Sequence, residues 1–321
     1  MKPWKNTRDT RIARFAPRLR TFLKGLLGVL LFIYPWAVVL ISIDFVPAWG
    51  TWLGGGYLIL MGTMMGVWLT INYGGGGVLV SGVILFFSWL VEHIGVITGL
   101  PFGAYQYTDV LVPQIGGIVP LAIPFAWLLV VPASVGTAAY LLRMGATDYP
   151  YRSPSLRPSP PFTVAGVVRA VVVAATLTTL LDMMIEPVVT RVTNYWSWGD
   201  GSGAYYDIPL INFGAWWVTS ALFAGMLVWL QWRKEGTGWR ERGGTATDPG
   251  DRAQDDLPFF PWLPYLLYVL LLGMFVVINL SHAHLVAALI GGPVLGYLLF
   301  DWLRPYVVHR LRSPLSGRGM E

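Results

Sequence analysis

The sequence predicts an all-α fold: a polytopic bundle of about eight transmembrane helices with both termini cytoplasmic. Three observations predict it. The chain is 55% hydrophobic but only 12% charged, with a mean hydropathy of +0.57, so its apolar surface exceeds what one soluble core of 321 residues can bury. Apolar runs recur at roughly 20 residues, the length that crosses a hydrocarbon core about 30 Å thick. Basic residues gather in alternate connections, as membrane topogenesis requires. Helix is preferred to strand because a barrel strand needs only about ten residues of alternating polarity.

The runs fall near 22–43, 52–72, 77–98, 119–142, 163–185, 209–232, 259–280 and 284–303. The first follows a basic arm, 1–24, and lacks a small-x-small cleavage site, so it reads as an uncleaved anchor. The second is interrupted by Gly54 to Gly56 and by Gly62. Gly74 to Gly77 precedes the third; without Gly-Lys-Ser/Thr it is a tight cytoplasmic turn and not a phosphate loop. The fourth and sixth begin Pro120-Leu121 and Pro209-Leu210, and the eighth holds Pro293. Gly62-x-x-x-Gly66 and Gly292-x-x-x-Gly296 would let helices approach closely. One transmembrane domain, 25–303, thus lies between the arm and a basic tail, 304–321. Two stretches interrupt it as linkers: 148–161, rich in Pro and Ser, and a flexible cytoplasmic loop at 233–257.

Lys2, Lys5, Arg8, Arg11, Arg14, Arg18, Arg20 and Lys24 precede the first run; Arg143, Arg152 and Arg157 lie between the fourth and fifth. Arg233, Lys234, Arg240, Arg242 and Arg252 lie between the sixth and seventh, and Arg304, Arg310, Arg312 and Arg318 follow the last. The opposite face has Arg191 alone, which places both ends in the cytoplasm and the chain in the cell membrane as a multi-pass protein. The net charge of +5 and pI near 9.4 do not indicate nucleic acid, because the basic residues are spread over every cytoplasmic segment. Anionic lipid is the expected partner. With no cysteine, disulfides, thiolate metal sites and cysteine nucleophiles are excluded.

An internal near-repeat follows. An offset of 89 residues lays Pro120-Leu121 on Pro209-Leu210 and Ala126-Trp127 on Ala215-Trp216. An offset of 90 lays Glu92 on Asp182, and Gly103-Ala104-Tyr105 matches Gly203-Ala204-Tyr205 at 100. A helix-hairpin repeat of this kind would bring the acids of the two halves together.

Those acids are the first candidates for chemistry. Glu92, Asp182 and Glu186 lie within the last turns of apolar helices, where a carboxyl is costly and able to retain a proton for general acid catalysis. Asp182 and Glu186, four apart, share a helical face; the plain alternative is that they snorkel to headgroups or pair with Arg191. His93 points about 100° away from Glu92, so it either orients water or is an ordinary interfacial histidine. Asn212, three residues into the sixth run after Pro209, must find a partner for its amide or position a water. Asp109 and Asp207 lie in the aromatic loops, as catalytic acids or as solvated capping residues. Of the aromatic side chains, Tyr105, Tyr107, Trp127, Tyr205, Tyr206 and Trp216 are the candidates to line a substrate cavity and to stabilise a positive charge. Interfacial belting accounts equally for Tyr195, Trp196 and Trp198. His282 and His284 lack a neighbouring acid in sequence, so no metal site is expected. Gly-x-Ser-x-Gly, His-Glu-x-x-His and aspartate-rich diphosphate motifs are absent.

The segments Thr98-Gly-Leu-Pro-Phe-Gly-Ala-Tyr-Gln-Tyr-Thr-Asp109, Pro120-Leu-Ala-Ile-Pro-Phe-Ala-Trp127 and Tyr205-Tyr-Asp-Ile-Pro-Leu-Ile-Asn-Phe-Gly-Ala-Trp216 resemble the membrane carotenoid hydratases of the CruF type. These comprise the carotenoid 1',2'-hydratases and bisanhydrobacterioruberin hydratases. The resemblance covers about residues 80–300. It implies a cofactor-independent, acid-catalysed addition of water to the terminal double bond of an acyclic carotenoid end group, giving a tertiary alcohol. An acyclic or monocyclic carotenoid would be the substrate, and other carotenoid-biosynthesis enzymes are possible partners. Three alternatives stand beside it: a membrane lycopene-type cyclase, a transporter built on the repeat, and a non-enzymatic subunit of a pigment-synthesising assembly.

Overall fold

A computed structural model describes residues 7–142, 163–199, 203–241 and 259–312. Seven stretches among these residues are long and apolar enough to cross a membrane. One of the seven, Leu53–Thr98, comprises two helices, so the described residues hold eight: α1 Thr7–Ser42, α2 Leu53–Tyr73, α3 Gly75–Thr98, α4 Ala122–Leu141, α5 Val164–Arg191, α6 Leu210–Glu241, α7 Leu263–Ser281 and α8 Leu285–Arg312. The break between α2 and α3 is Gly74, at φ 58° and ψ −135°, a conformation that side chains with a Cβ avoid. Beyond it the chain doubles back tightly: a Cβ on Gly77 would lie 2.1 Å from the Leu69 carbonyl oxygen.

Three helices run well past their hydropathy boundaries. α1 begins at Thr7, inside the expected arm; α6 continues to Glu241, inside the expected flexible loop; α8 reaches Arg312, inside the expected tail. Helical hydrogen bonds are satisfied within the segment, so charged helix-forming residues extend a helix past the apolar run without a change in backbone conformation. The linker 148–161 and residues 242–257 of the expected flexible loop lie outside the described residues.

α4 is the axis of the bundle. Its apolar stretch is 89% buried, against 6% for α1, and α2, α5 and α7 pack around it. α2 comes closest at Gly62, where a Cβ would stand 2.4 Å from the Phe125 carbonyl. Gly292 and Gly296, by contrast, face open space, and it is Gly291 that meets Met184 of α5. Phe32, Trp36, Leu222 and Leu289 are among the large apolar side chains turned outward, as a lipid-facing perimeter requires.

The fold is not purely helical. β1 Tyr105–Tyr107 and β4 Trp196–Trp198 pair antiparallel, with Tyr105 opposite Trp198 and Tyr107 opposite Trp196, and β2 Gln114–Ile115 pairs with β3 Val119–Pro120. The β1–β4 ribbon ties the α3–α4 connection to the α5–α6 connection at one end of the bundle. Hydropathy cannot register the β1–β4 pairing, because it joins Tyr105–Tyr107 to the distant Trp196–Trp198 and the side chains of each strand alternate.

Candidate active site

Two helices deliver acids beneath this ribbon. Glu92 on α3 and Asp182 and Glu186 on α5 are 4%, 0% and 1% exposed. Each of the two glutamates is gripped by ring donors from one strand of the ribbon. Tyr105 and Tyr107 donate to Glu92 Oε2 at 2.5 and 2.8 Å, and the Trp127 indole of α4 donates to Oε1 at 2.8 Å. Trp196 and Trp198 donate to Glu186 Oε2 at 3.2 and 3.0 Å. The i, i+2 spacing of a strand is what lets two neighbouring rings reach one oxygen from the same face.

Asn212 supplies the third donor to Glu186. Its side-chain nitrogen donates to Glu186 Oε1 at 3.2 Å and to Asp182 Oδ2 at 3.0 Å, so one buried amide bridges two acids on a shared helical face. Asp182 Oδ1 is buried without a hydrogen-bond partner. Trp127 and Trp216 stack between the halves, 4.1 Å apart with planes 17° from parallel. Burial first, and then the adjacent Glu92, push the Tyr105 and Tyr107 phenols up, so both remain neutral.

A cavity of about 770 Å³ opens onto this constellation. Glu92, Glu186, Asn212, Trp127 and Trp216 reach its wall, as do the four ring donors of the ribbon. Most of the rest is apolar, from α1, α2, α4, α5 and α7, and the α1–α2 connection carries Asp44 and the exposed Trp49 to its rim. Asp182 lies behind Glu186 and Asn212, outside the wall.

Other sequence candidates are placed elsewhere. The His93 ring packs on Trp89 at 5.3 Å, away from the cavity, consistent with its angular offset from Glu92. Asp109 is exposed. Asp207 pairs with Arg191, whose guanidinium lies 5.5 Å over the Tyr206 ring, so Arg191 does not neutralise Asp182 or Glu186. Tyr205 donates to the Met183 carbonyl at 2.8 Å, and neither Tyr205 nor Tyr206 lines the cavity. His282 meets an acid after all, Asp44, at 2.9 Å from Nε2. Among the described residues, however, no group of three or more His, Asp or Glu side chains is arranged to hold a metal.

The two glutamates have matching surroundings, but not at the offset the sequence suggested. Glu92 corresponds in its surroundings to Glu186, an offset of 94, and not to Asp182; Tyr105 faces Trp198 and not Tyr205. Trp196 and Trp198, which belting seemed to explain, are the donors that complete the second half. The legible signal was an acid followed by aromatic-x-aromatic, Tyr105-x-Tyr107 and Trp196-x-Trp198.

Comparison with known proteins supplies the remaining constraint. No curated protein and no solved structure matches. Residues 53–298, well over half the chain and every buried acid and ring donor just described, match the family of carotenoid biosynthesis proteins. With a membrane-type bundle and the buried acids within the matched region, the chain belongs to the carotenoid biosynthesis protein family.

Proposed function

We propose that this protein is a hydratase acting on the terminal double bond of an acyclic carotenoid end group. The observation that carries the reading is the pair of glutamates, each held by three donors, in a cavity lined mostly by apolar side chains. A polyene dissolves in the membrane, and its apolar length suits the helix-lined part of the cavity. Its end group would then lie between Glu92 and Glu186. A carboxyl gives a proton to the less substituted alkene carbon, which leaves a tertiary cation. The Trp127 and Trp216 rings and a carboxylate stabilise that charge. Water adds to the cation and gives up a proton, so the alkene and one water yield one tertiary alcohol with no redox change.

In this reading each of the eight helices crosses the cell membrane once, both ends are cytoplasmic, and the ribbon end of the bundle faces outward. The rim at Asp44 and Trp49 then meets water as well as lipid headgroups.

The test is mass analysis of pigments from a carotenoid-producing host that expresses this one gene. A gain of one water per end group is expected. Cyclised ends with no added water would replace the hydratase by a cyclase, in which a neighbouring double bond captures the same cation. Unchanged pigments would sink both.

A further inference from the structure

The two glutamates have near-symmetric positions but not equivalent partners. Glu186 is faced by three N–H groups, from Trp196, Trp198 and Asn212, and an N–H of indole or amide can only donate. With the Asn212 nitrogen turned to the acids, none of these can accept a proton's hydrogen bond from Glu186, whereas all three favour an anion. Glu92 is different. Two of its three partners are phenol oxygens, and a phenol can donate or accept. A proton on Glu92 can therefore be accommodated by rotation of Tyr105 or Tyr107. Asp182 completes the asymmetry. It contributes one further acid beside Glu186, with one donor and a bare buried oxygen, so of this close pair Glu186 is the better placed to carry the charge.

We infer that the two acids have divided roles: Glu92 donates the proton that starts the reaction, and Glu186 acts as the carboxylate that faces the cation and takes the proton from water. Asp182 is a positioning residue, acting on Glu186 through Asn212. This inference rests on the hydratase reading. In the first step the alkene π pair forms a C–H bond with the Glu92 proton, leaving the Glu92 carboxylate and a tertiary cation. In the second the water oxygen bonds the cation while its O–H bond breaks toward Glu186. One proton transfer from Glu186 to Glu92, through solvent at the rim, restores both.

Deuterium separates the steps. Wild type, Glu92→Gln and Glu186→Gln are compared in D₂O with an acyclic carotenoid in detergent, each variant first shown to melt as a folded protein. Wild type should form hydrate carrying one carbon-bound deuterium per new hydroxyl. Glu186→Gln should lose hydrate by about 100-fold or more, yet still place deuterium in recovered alkene, because the cation forms and reverts. Glu92→Gln should lose both signals. If Glu186→Gln does not fold, Trp196→Phe with Trp198→Phe removes two of its donors and should give the same pattern in weaker form.

Exchange retained in Glu92→Gln but lost in Glu186→Gln would reverse the roles and overturn the inference. Loss of both signals in both variants would show that the acids act as one unit, which also overturns it. Full hydration by both would remove the site itself. No hydrate from wild type would instead refute the hydratase reading on which the division depends.

Discussion

Replacing Asn212 by alanine probes the bridge on which the second half of the site depends. The side-chain nitrogen commits both hydrogens to carboxyls, at 3.0 Å to Asp182 and 3.2 Å to Glu186, and the residue is 1% exposed. A hydrogen bond to a charged group contributes about 1.5–3 kcal/mol, and one to a neutral acid nearer 1. Asn212→Ala should therefore cost about 2.5–4 kcal/mol of stability. Asp182→Ala removes one of the same two bonds, so the double variant should cost less than the sum of the singles, with a coupling of about 1–2 kcal/mol. The assay is equilibrium or thermal unfolding of the four proteins in one mild detergent, with hydrate yield measured alongside. Because Asn212→Ala also strips a donor from Glu186, yield should fall by about tenfold, the equivalent of one lost bond of 1.4 kcal/mol. A coupling below about 0.5 kcal/mol, the margin within which independent sites add, would refute the bridge.

Trp127→Phe keeps a ring against Trp216 but removes the indole N–H from Glu92 Oε1; a loss of about 1–2 kcal/mol in stability and a severalfold drop in product are expected by unfolding and pigment analysis. Gly62→Val should separate α2 from α4, since a Cβ would already stand 2.4 Å from the Phe125 carbonyl, and a fall in stability of about 1–3 kcal/mol is the measurable result. At the cavity rim, burial lowers His282, but its hydrogen bonds to Asp44 and the Ile278 carbonyl outweigh this and hold it above 6.5. A histidine raised on folding stabilises fully below about 6.5 and ceases to as pH climbs through the higher folded value. His284, lowered by burial and then by His282 and Arg191, tilts the opposite way, so the readout is a difference. Melting temperature minus that of Asp44→Asn should shrink as pH rises through this window; a difference independent of pH would remove the His282–Asp44 link.

How much of the site could be read from the chain depended on the range of the interaction. Glu92, Asp182 and Glu186 announced themselves because a carboxyl in an apolar run has no local excuse. Asn212 stood out for the same reason. Trp196 and Trp198 did not, because an aromatic near a membrane surface has an ordinary explanation that sequence cannot separate from hydrogen bonding to an acid. His93 and Tyr205 were drawn in by adjacency and by a sequence match, and each is turned to its own neighbour by geometry. The offset of 90 joined Glu92 to Asp182, yet equivalence in space is set by which acid the paired strand covers, and that acid is Glu186.

Composition and hydropathy alone determined a polytopic helical protein, the approximate place of each apolar helix, and the presence of costly acids near their ends. These are local properties: helical hydrogen bonds close within a segment, and the bilayer acts on each run separately. Tertiary structure decided what no single segment contains. The antiparallel pairing of Tyr105–Tyr107 with Trp196–Trp198 brings two loops together, gives each glutamate its own set of donors, and closes the polar end of the cavity. That arrangement exists only when four helices hold both strands in register, because three-residue strands have too few bonds to pair alone.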